Sequence, residues 1–233
     1  MAVPTLLSTQ LRDENYAGLT YHIEGELTPV LQIEMRDMGI YFEHHVLLWK
    51  DPAVNVGIRA MKGVFKRMIA GMAIFMTEAK GPGRIAFSRD GPGHVFALHL
   101  TAGQAVDVRE HQFLAASSNV DYSFRRVQGV VNMLFSGTGF FIDTFTTGHQ
   151  EGILWLHGYG NVFEIELGPR EQIDIEPGGW IYKDPSVSME TKMQKLTSGI
   201  FASAGQLVWN RFTGPGRIAL QSMYMPITSE GAS

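Results

Sequence analysis

The sequence GPGRIA stands at residues 81–86 and again, letter for letter, at residues 214–219, an offset of 133 residues. The tripeptide KDP at residues 50–52 recurs at residues 183–185 with the same offset. With residue frequencies of roughly one in fifteen, a six-residue identity arises by chance on the order of once in ten million comparisons. Two matches at one offset therefore indicate an internal duplication.

A middle copy is expected at half of this offset, and the spacing of apolar residues reveals one. Three alternating apolar residues occur in each copy: Leu31, Ile33 and Met35, then Phe96, Leu98 and Leu100, then Phe163, Ile165 and Leu167. A spacing of two is the period of a half-buried β-strand, not of a helix. We therefore predict that Ile33, Leu98 and Ile165 are buried at matching positions.

These copies predict an all-β fold with three internal repeats related by pseudo-threefold symmetry. We predict one domain over residues 1–233, made of three tandem β-repeats of about 66 residues each. The half-repeats begin near residues 21, 71, 95, 137, 162 and 204. Because the chain opens with the second half of a unit and closes with the first half, we expect the C-terminal strands to complete the N-terminal unit and hide both sheet edges.

Composition restricts the possible functions. Apolar residues make up 45% of the chain and charged residues 18%, which is enough for a substantial core. The net charge of −4 argues against a nucleic-acid binder with a generally basic surface. The absence of cysteine excludes disulfides and thiolate chemistry and fits a reducing compartment. No secretory signal pattern or long apolar run is present, so we predict a cytoplasmic protein.

Known catalytic motifs are missing from the sequence, which predicts a protein that is not an enzyme and has no cofactor or bound metal. One alternative stays open, a small-molecule- or metal-binding β-helix enzyme. Glu34, His99 and Glu166 align across the three copies, and a threefold axis would bring them together as ligands of a divalent metal. Residues 43–45, Glu-His-His, are interpreted as an exposed polar turn because the third copy has Glu-Pro-Gly at residues 176–178.

The segments that link the half-repeats, residues 57–71, 123–137 and 191–205, combine basic and apolar side chains without any acidic residue. Their basic residues are Arg59, Lys62, Lys66, Arg67, Arg125, Arg126, Lys192 and Lys195. These segments carry a charge of +8, which leaves −12 for the rest of the chain. We predict that they form the working surface of an oligomeric scaffold, which docks on an anionic membrane surface or on a protein partner.

Four segments of the sequence carry a family resemblance: the strand at residues 95–100, the sequence FLAAS at residues 113–117, the segment 62–71, and residues 156–161. On these segments the chain resembles the bacterial relatives of the mitochondrial biogenesis protein called "altered inheritance of mitochondria", number twenty-four. The match runs from Tyr21 to Tyr224, which is nearly the whole chain.

This resemblance implies a fold like that of the tryptophan RNA-binding attenuation protein (TRAP), a short double-stranded β-helix, here triplicated within one chain. It also implies a homo-oligomer, with a trimer favoured, because β-units of this type continue their sheet pairing around a ring. The mitochondrial member is linked to inner-membrane organisation, and the resemblance carries over no catalytic residues. RNA binding does not transfer with it, because fold does not imply function.

Overall fold

The computed structural model describes residues 2–7, 13–59, 76–127, 140–195 and 206–223. Within these ranges the chain forms twenty-one β-strands and one short 3₁₀ helix, and no helix there could span a membrane. Every strand pairing in the same ranges is antiparallel. The predicted all-β fold is confirmed.

The strands are β1 (Thr5–Leu6), β2 (Glu14–Tyr16), β3 (Leu19–Glu24), β4 (Val30–Met35), β5 (Ile40–Glu43), β6 (Leu47–Lys50), β7 (Asn55–Ile58), β8 (Met76–Lys80), β9 (Gly83–Phe87), β10 (Gly93–Leu100), β11 (Ala105–Arg109), β12 (Phe113–Ser117), β13 (Val120–Val127), β14 (Phe140–Thr147), β15 (Gly152–Tyr159), β16 (Val162–Leu167), β17 (Gln172–Ile175), β18 (Trp180–Lys183), β19 (Ser188–Lys195), β20 (Gln206–Thr213) and β21 (Gly216–Gln221). The 3₁₀ helix spans His44–Val46, between β5 and β6.

One pairing pattern occurs in three strand sets, β4 to β9, β10 to β15 and β16 to β21. In each set the first strand pairs with the last: β4 with β9, β10 with β15, and β16 with β21. The second pairs with the fifth, and the third with the last. Ile33, Leu98 and Ile165 are all buried, as predicted. The pseudo-threefold relation between the sets stays a prediction.

Consecutive strand sets share sheets. Strand β5 of the first set pairs with β12 of the second, and β11 of the second set pairs with β18 of the third. Four sheets result, with strand orders β2-β3-β4-β9-β6, β10-β15-β12-β5-β8-β7, β1-β16-β21-β18-β11-β14-β13, and β17-β20-β19. Three buried apolar clusters draw their side chains from consecutive sheets in this series. The sets are therefore joined in chain order, each to the next.

The two repeated sequence motifs contact each other. The Oδ2 atom of Asp51 accepts hydrogen bonds from the backbone N–H of Arg84 at 2.9 Å and from its Nε at 3.2 Å. Asp184 accepts the same two bonds from Arg217, at 2.9 and 3.2 Å. The KDP turn thus holds the start of the GPGRIA strand in both places where the pair occurs.

The second glycine of each GPGRIA motif lies where the backbone conformation and the neighbouring atoms leave no room for a larger residue. Gly83 has a φ angle of +139° and Gly216 one of +133°, a region that side chains disfavour. A Cβ atom on Gly83 would lie 2.8 Å from Val54, and one on Gly216 would lie 2.9 Å from Val187. The glycine lets the strand pass directly against the valine of the KDP turn.

The expectation that the C-terminal strands complete the N-terminal unit is wrong. Strands β20 and β21 pair with β16 to β19 of their own set. Pairing with strands that are close in sequence closes shorter loops and loses less chain entropy. Strands β6 and β17 lie at open sheet edges in the described part of the chain.

Candidate functional site

Strand β6 lies at an open edge of its sheet and exposes apolar side chains. Among the described residues it pairs with β9 alone, whereas the corresponding strands β12 and β18 are also covered on their second side, by β5 and β11. Leu48 is 56% exposed and Trp49 37% exposed. The corresponding side chains are fully buried: Leu114 and Ala115 in β12, and Ile181 and Tyr182 in β18. Strand β6 therefore has the contact surface of an interior strand, and no strand in the described ranges covers it.

The correspondence between these three strands rests on a shared irregularity. Each shifts register against its neighbour at its second residue, so that Leu47, Phe113 and Trp180 precede the shift. A bulge of this kind re-aims the side chains that follow it. The side chains compared above thus hold equivalent positions.

Strand β17 forms a second open edge. Within the part of the chain that the structure describes it pairs with β20 alone, whereas its counterparts β5 and β11 lie inside larger sheets. All four residues of β5 are buried, but in β17 both Gln172 and Asp174 are exposed and Ile173 is only partly buried. No described strand therefore covers the second strand of the third set or the third strand of the first set.

A buried carboxylate joins the second and third strand sets. Asp107 in β11 accepts hydrogen bonds from Arg125 at 3.1 and 2.6 Å, from Lys183 Nζ at 2.8 Å and from Thr144 Oγ1 at 2.8 Å. Burial alone would raise the pKa of Asp107, but the hydrogen bonds from Arg125 and Lys183 outweigh it and lower that pKa. The side chains of Asp107 and Lys183 are almost fully buried. This pair spans the junction, because β11 and β18 belong to different sets.

The corresponding residues at the open edges are also an aspartate and a lysine. Asp174 in β17 follows Asp107 by 67 residues, and Lys50 in β6 precedes Lys183 by 133. Arg211 holds Asp174 through bonds of 2.7 and 2.6 Å, and these bonds lower its pKa. Nζ of Lys50 donates only to backbone carbonyls, and among the described residues it has no carboxylate partner.

The junction between the first and second sets contains a polar cluster around Arg89. The guanidinium donates to Glu43 Oε2 at 3.4 Å and to the carbonyl oxygen of His111, and it lies 3.0 Å from His45 Nε2. Arg89 and Glu43 are both buried. The interpretation of residues 43–45 as an exposed turn is therefore wrong for Glu43, because Arg89, which follows β9, compensates its buried charge.

His157 is buried in β15 beside this cluster. Its ring packs edge-on against Tyr159, with ring centres 4.8 Å apart. Burial first, and then the positive charge of Arg89, lower the pKa of His157 to about 4, whereas Asp90 acts in the opposite direction. The imidazole is therefore neutral at physiological pH.

The structure does not bring Glu34, His99 and Glu166 together, and the predicted metal-ligand set is wrong. Glu34 pairs with Arg36, and His99 stacks on Tyr16. No cluster of at least three His, Cys, Asp or Glu side chains in the described ranges could hold a metal ion. The three residues lie in β4, β10 and β16, which belong to three different sheets.

Two of the predicted surface bases lie at junctions between strand sets. Arg59 lies over the ring of Tyr41 at 3.9 Å and donates to the carbonyl oxygens of Ser118 and Val120 in the second set. Arg125 holds Asp107, beside a cavity of about 310 Å³ that Lys183 also lines. These two arginines stabilise contacts between sets.

The remaining predicted bases divide into two groups. Lys192 is partly exposed and pairs with Glu190 at 2.9 Å. The other five have side chains outside the described residues: Lys62, Lys66, Arg67, Arg126 and Lys195. Their docking role stays a prediction.

Sequence reasoning missed the pair of Asp107 and Lys183 between the second and third sets, although a signal for it was present. Lys50 and Lys183 open the repeated KDP motif, and Asp107 and Asp174 hold matching positions 67 residues apart. Aligning the copies finds all four residues. Only the pairing of β11 with β18 shows that the aspartate of one set faces the lysine of the next.

Comparison with known proteins agrees with this architecture. The model of the mitochondrial biogenesis AIM24 family matches residues 21–223. The chain belongs to this family. One similar protein, "Uncharacterized protein M6_Spy0233" of Streptococcus pyogenes serotype M6, is 26% identical over an alignment of 212 positions that covers 84% of this chain and 82% of that protein. The family resemblance inferred from the sequence is thereby confirmed.

A solved structure extends the comparison of this AIM24-family chain to the fold. The crystal structure of protein SPYM3_0169 from Streptococcus pyogenes aligns with a TM-score of 0.67 at 20% sequence identity. The alignment covers 88% of this chain and 94% of that chain. At this level of identity the likeness shows a shared fold, and the finer TRAP-like classification stays a prediction.

Proposed function

We propose that this AIM24-family protein is a non-enzymatic scaffold whose copies assemble head to tail through β6 and β17. One observation carries the proposal. The second strand of one set pairs with the third strand of the next at both internal junctions, β5 with β12 and β11 with β18. Among the described strands, β17 is the second strand and β6 the third strand that have no such partner.

Head-to-tail contacts between different surfaces produce rings when the rotation closes and filaments when it does not. We propose a closed trimer, the finite assembly expected from the sequence. Each new junction would repeat a contact that the chain already makes twice. An open edge with unpaired backbone groups otherwise invites uncontrolled pairing, so a matching edge on a second copy also protects the protein from aggregation.

The exposed side chains of β6 supply part of the driving force for assembly. Complete burial of a leucine-sized side chain contributes about 1.5–3 kcal/mol relative to full exposure. Leu48 and Trp49 are 56% and 37% exposed. Covering both to the level of their counterparts would therefore contribute roughly 1–2 kcal/mol each at every junction.

A second part of the proposal concerns what the scaffold docks on. The basic and apolar linking segments favour an anionic membrane surface, and each lysine or arginine near such a surface contributes about 1 kcal/mol. An assembly of several copies would present several sets of these segments to the same membrane, and its overall affinity would exceed that of a single copy. An acidic protein partner is the alternative for the same segments.

The assembly is tested by measuring mass in solution with light scattering after size exclusion. The wild type should elute at about three times 25.9 kDa, and Leu48→Lys at 25.9 kDa, because the lysine places a charge in the covered edge. Leu27→Lys is the matched control, since Leu27 is 76% exposed in the connection between β3 and β4. A monomeric wild type at tens of micromolar, or an assembled Leu48→Lys, would contradict the proposal.

A further inference from the structure

We propose that Lys50 of one copy and Asp174 of the next form a salt bridge that sets the register of the head-to-tail junction. This inference rests on the proposed assembly and names the contact that selects its partner, a second copy of this chain.

The register follows from the two junctions inside the chain. In the first junction Tyr41 lies opposite Ala116, with Phe42 opposite Ala115. In the second, Asp107 lies opposite Lys183, with Val108 opposite Tyr182. The two registers are the same when the strand sets are aligned.

Extending this register to the open edges places Asp174 opposite Lys50 and Ile175 opposite Trp49. Ile175 is already buried on its own sheet, and Trp49 is the exposed aromatic side chain of β6. The extended register therefore joins opposite charges at one position and covers an apolar side chain at the next.

Lys50 makes the same two hydrogen bonds to backbone carbonyls as its counterpart Lys183, and one of its three N–H donors remains for a third bond. Nζ of Lys183 donates to the carbonyl oxygens of Val187 at 2.8 Å and Asp184 at 3.3 Å, and also to Asp107 at 2.8 Å. Nζ of Lys50 donates to the equivalent carbonyls of Val54 at 3.0 Å and Asp51 at 3.4 Å. An ammonium group has three donors, so the third is available at the position where Lys183 binds its aspartate.

Asp174 can accept this donor without losing its present partner. The carboxylate binds Arg211 in a two-bond pair. Asp107 shows that a carboxylate at this position accepts a two-bond arginine pair and a lysine together. Four lone-pair sites on the two oxygens allow both.

Charge reversal tests the pair. Lys50→Asp and Asp174→Lys should each raise the protein concentration at half-assembly about tenfold or more, because each sets like charges opposite one another. The double variant Lys50→Asp with Asp174→Lys should assemble like the wild type, since every junction of the closed trimer then carries the reversed pair. Lys80→Asp is the control, because it changes the charge equally at an exposed lysine of β8.

The outcomes separate this inference from the proposed function. A wild type that stays monomeric at every concentration overturns the assembly and the pair with it. A wild type that assembles while both single variants assemble equally well overturns the pair alone. Single variants that fail to assemble, in a chain where the double variant also fails, count against the pair as well.

Disulfide trapping covers the case in which a charge-reversed variant does not fold. The chain has no cysteine, so Lys50→Cys combined with Asp174→Cys supplies the only two thiols. Directly opposed residues on paired strands lie within reach of a disulfide. Oxidation should yield reducible multiples of 25.9 kDa on a denaturing gel, and the control Lys80→Cys with Asp174→Cys should not.

A disulfide that forms without any increase in mass would show that the two edges pair within one chain, and would overturn the second copy as partner. An assembled protein that forms no disulfide would overturn the register.

Discussion

Replacing Asp107 by alanine should destabilise the protein far more than the same change at Asp174. The two aspartates hold matching positions, but the side chain of Asp107 is 2% exposed and that of Asp174 35% exposed. Without Asp107, the ammonium of Lys183 stays buried with only carbonyl partners. Breaking a buried pair by removing one member costs about 3–5 kcal/mol, whereas an exposed pair contributes about 0–1 kcal/mol.

The measurement is the free energy of unfolding from urea titrations, followed by tryptophan fluorescence. Both variants are made in the Leu48→Lys background, so that the aspartate at position 174 is compared without a covering copy. The expected loss for Asp107→Ala is a large part of the roughly 5–15 kcal/mol that stabilises a typical domain. Asp174→Ala should lose about 1 kcal/mol or less.

A second variant at the same junction separates the buried charge from the loss of packing. Changing Lys183→Met together with Asp107→Ala removes both charges, and it should recover part of the stability lost in Asp107→Ala. The lowered pKa of Asp107 also sets a pH dependence. The contribution of the Asp107 carboxylate to the free energy of unfolding is complete above the ordinary carboxyl pKa of 3.8. This contribution is lost as the pH falls through the lower pKa of the folded protein. Equal small losses for Asp107→Ala and Asp174→Ala would refute the argument.

Two further predictions concern the buried His157 and the basic linking segments. The unfolded chain binds a proton at His157 between its ordinary pKa of 6.5 and the folded value of about 4, so stability should fall by up to about 3 kcal/mol as the pH drops through this window. His157→Gln should remove that part of the slope in urea titrations at pH 7 and pH 4.5, and an unchanged slope would count against a buried neutral imidazole. The wild type should float with anionic but not neutral liposomes at low salt, and changing Lys62, Lys66 and Arg67 to Glu should weaken flotation strongly. Wild-type protein that does not float with anionic liposomes would contradict the proposal that the segments dock on a membrane.

Much of the strand pattern could be predicted from the sequence. Alternation at Leu31, Ile33 and Met35 marks a strand with one buried face, because successive side chains of a strand point to opposite sides. All three side chains are buried. The repeated KDP and GPGRIA motifs indicated equivalent positions, and the structure shows that they bind each other through Asp51 and Arg84.

The errors of the sequence reasoning concern contacts between elements far apart in the chain. Glu43 belongs to a polar tripeptide, and nothing local predicts that Arg89, 46 residues later, compensates its charge. The metal hypothesis assumed a common axis for Glu34, His99 and Glu166, whereas their strands belong to different sheets. A repeat shows which positions are equivalent, but not where the copies lie relative to one another.

The sequence by itself determined the all-β class, the strand alternation and the equivalent positions, because these depend on local periodicity and on self-similarity along the chain. Only the tertiary structure decided that Asp107 faces Lys183 and that no strand in the described ranges covers the open sides of β6 and β17. The physical reason is that sheet pairing between strand sets depends on which edges meet in space. The residues that meet there are separated by tens of positions, and no local pattern records their pairing.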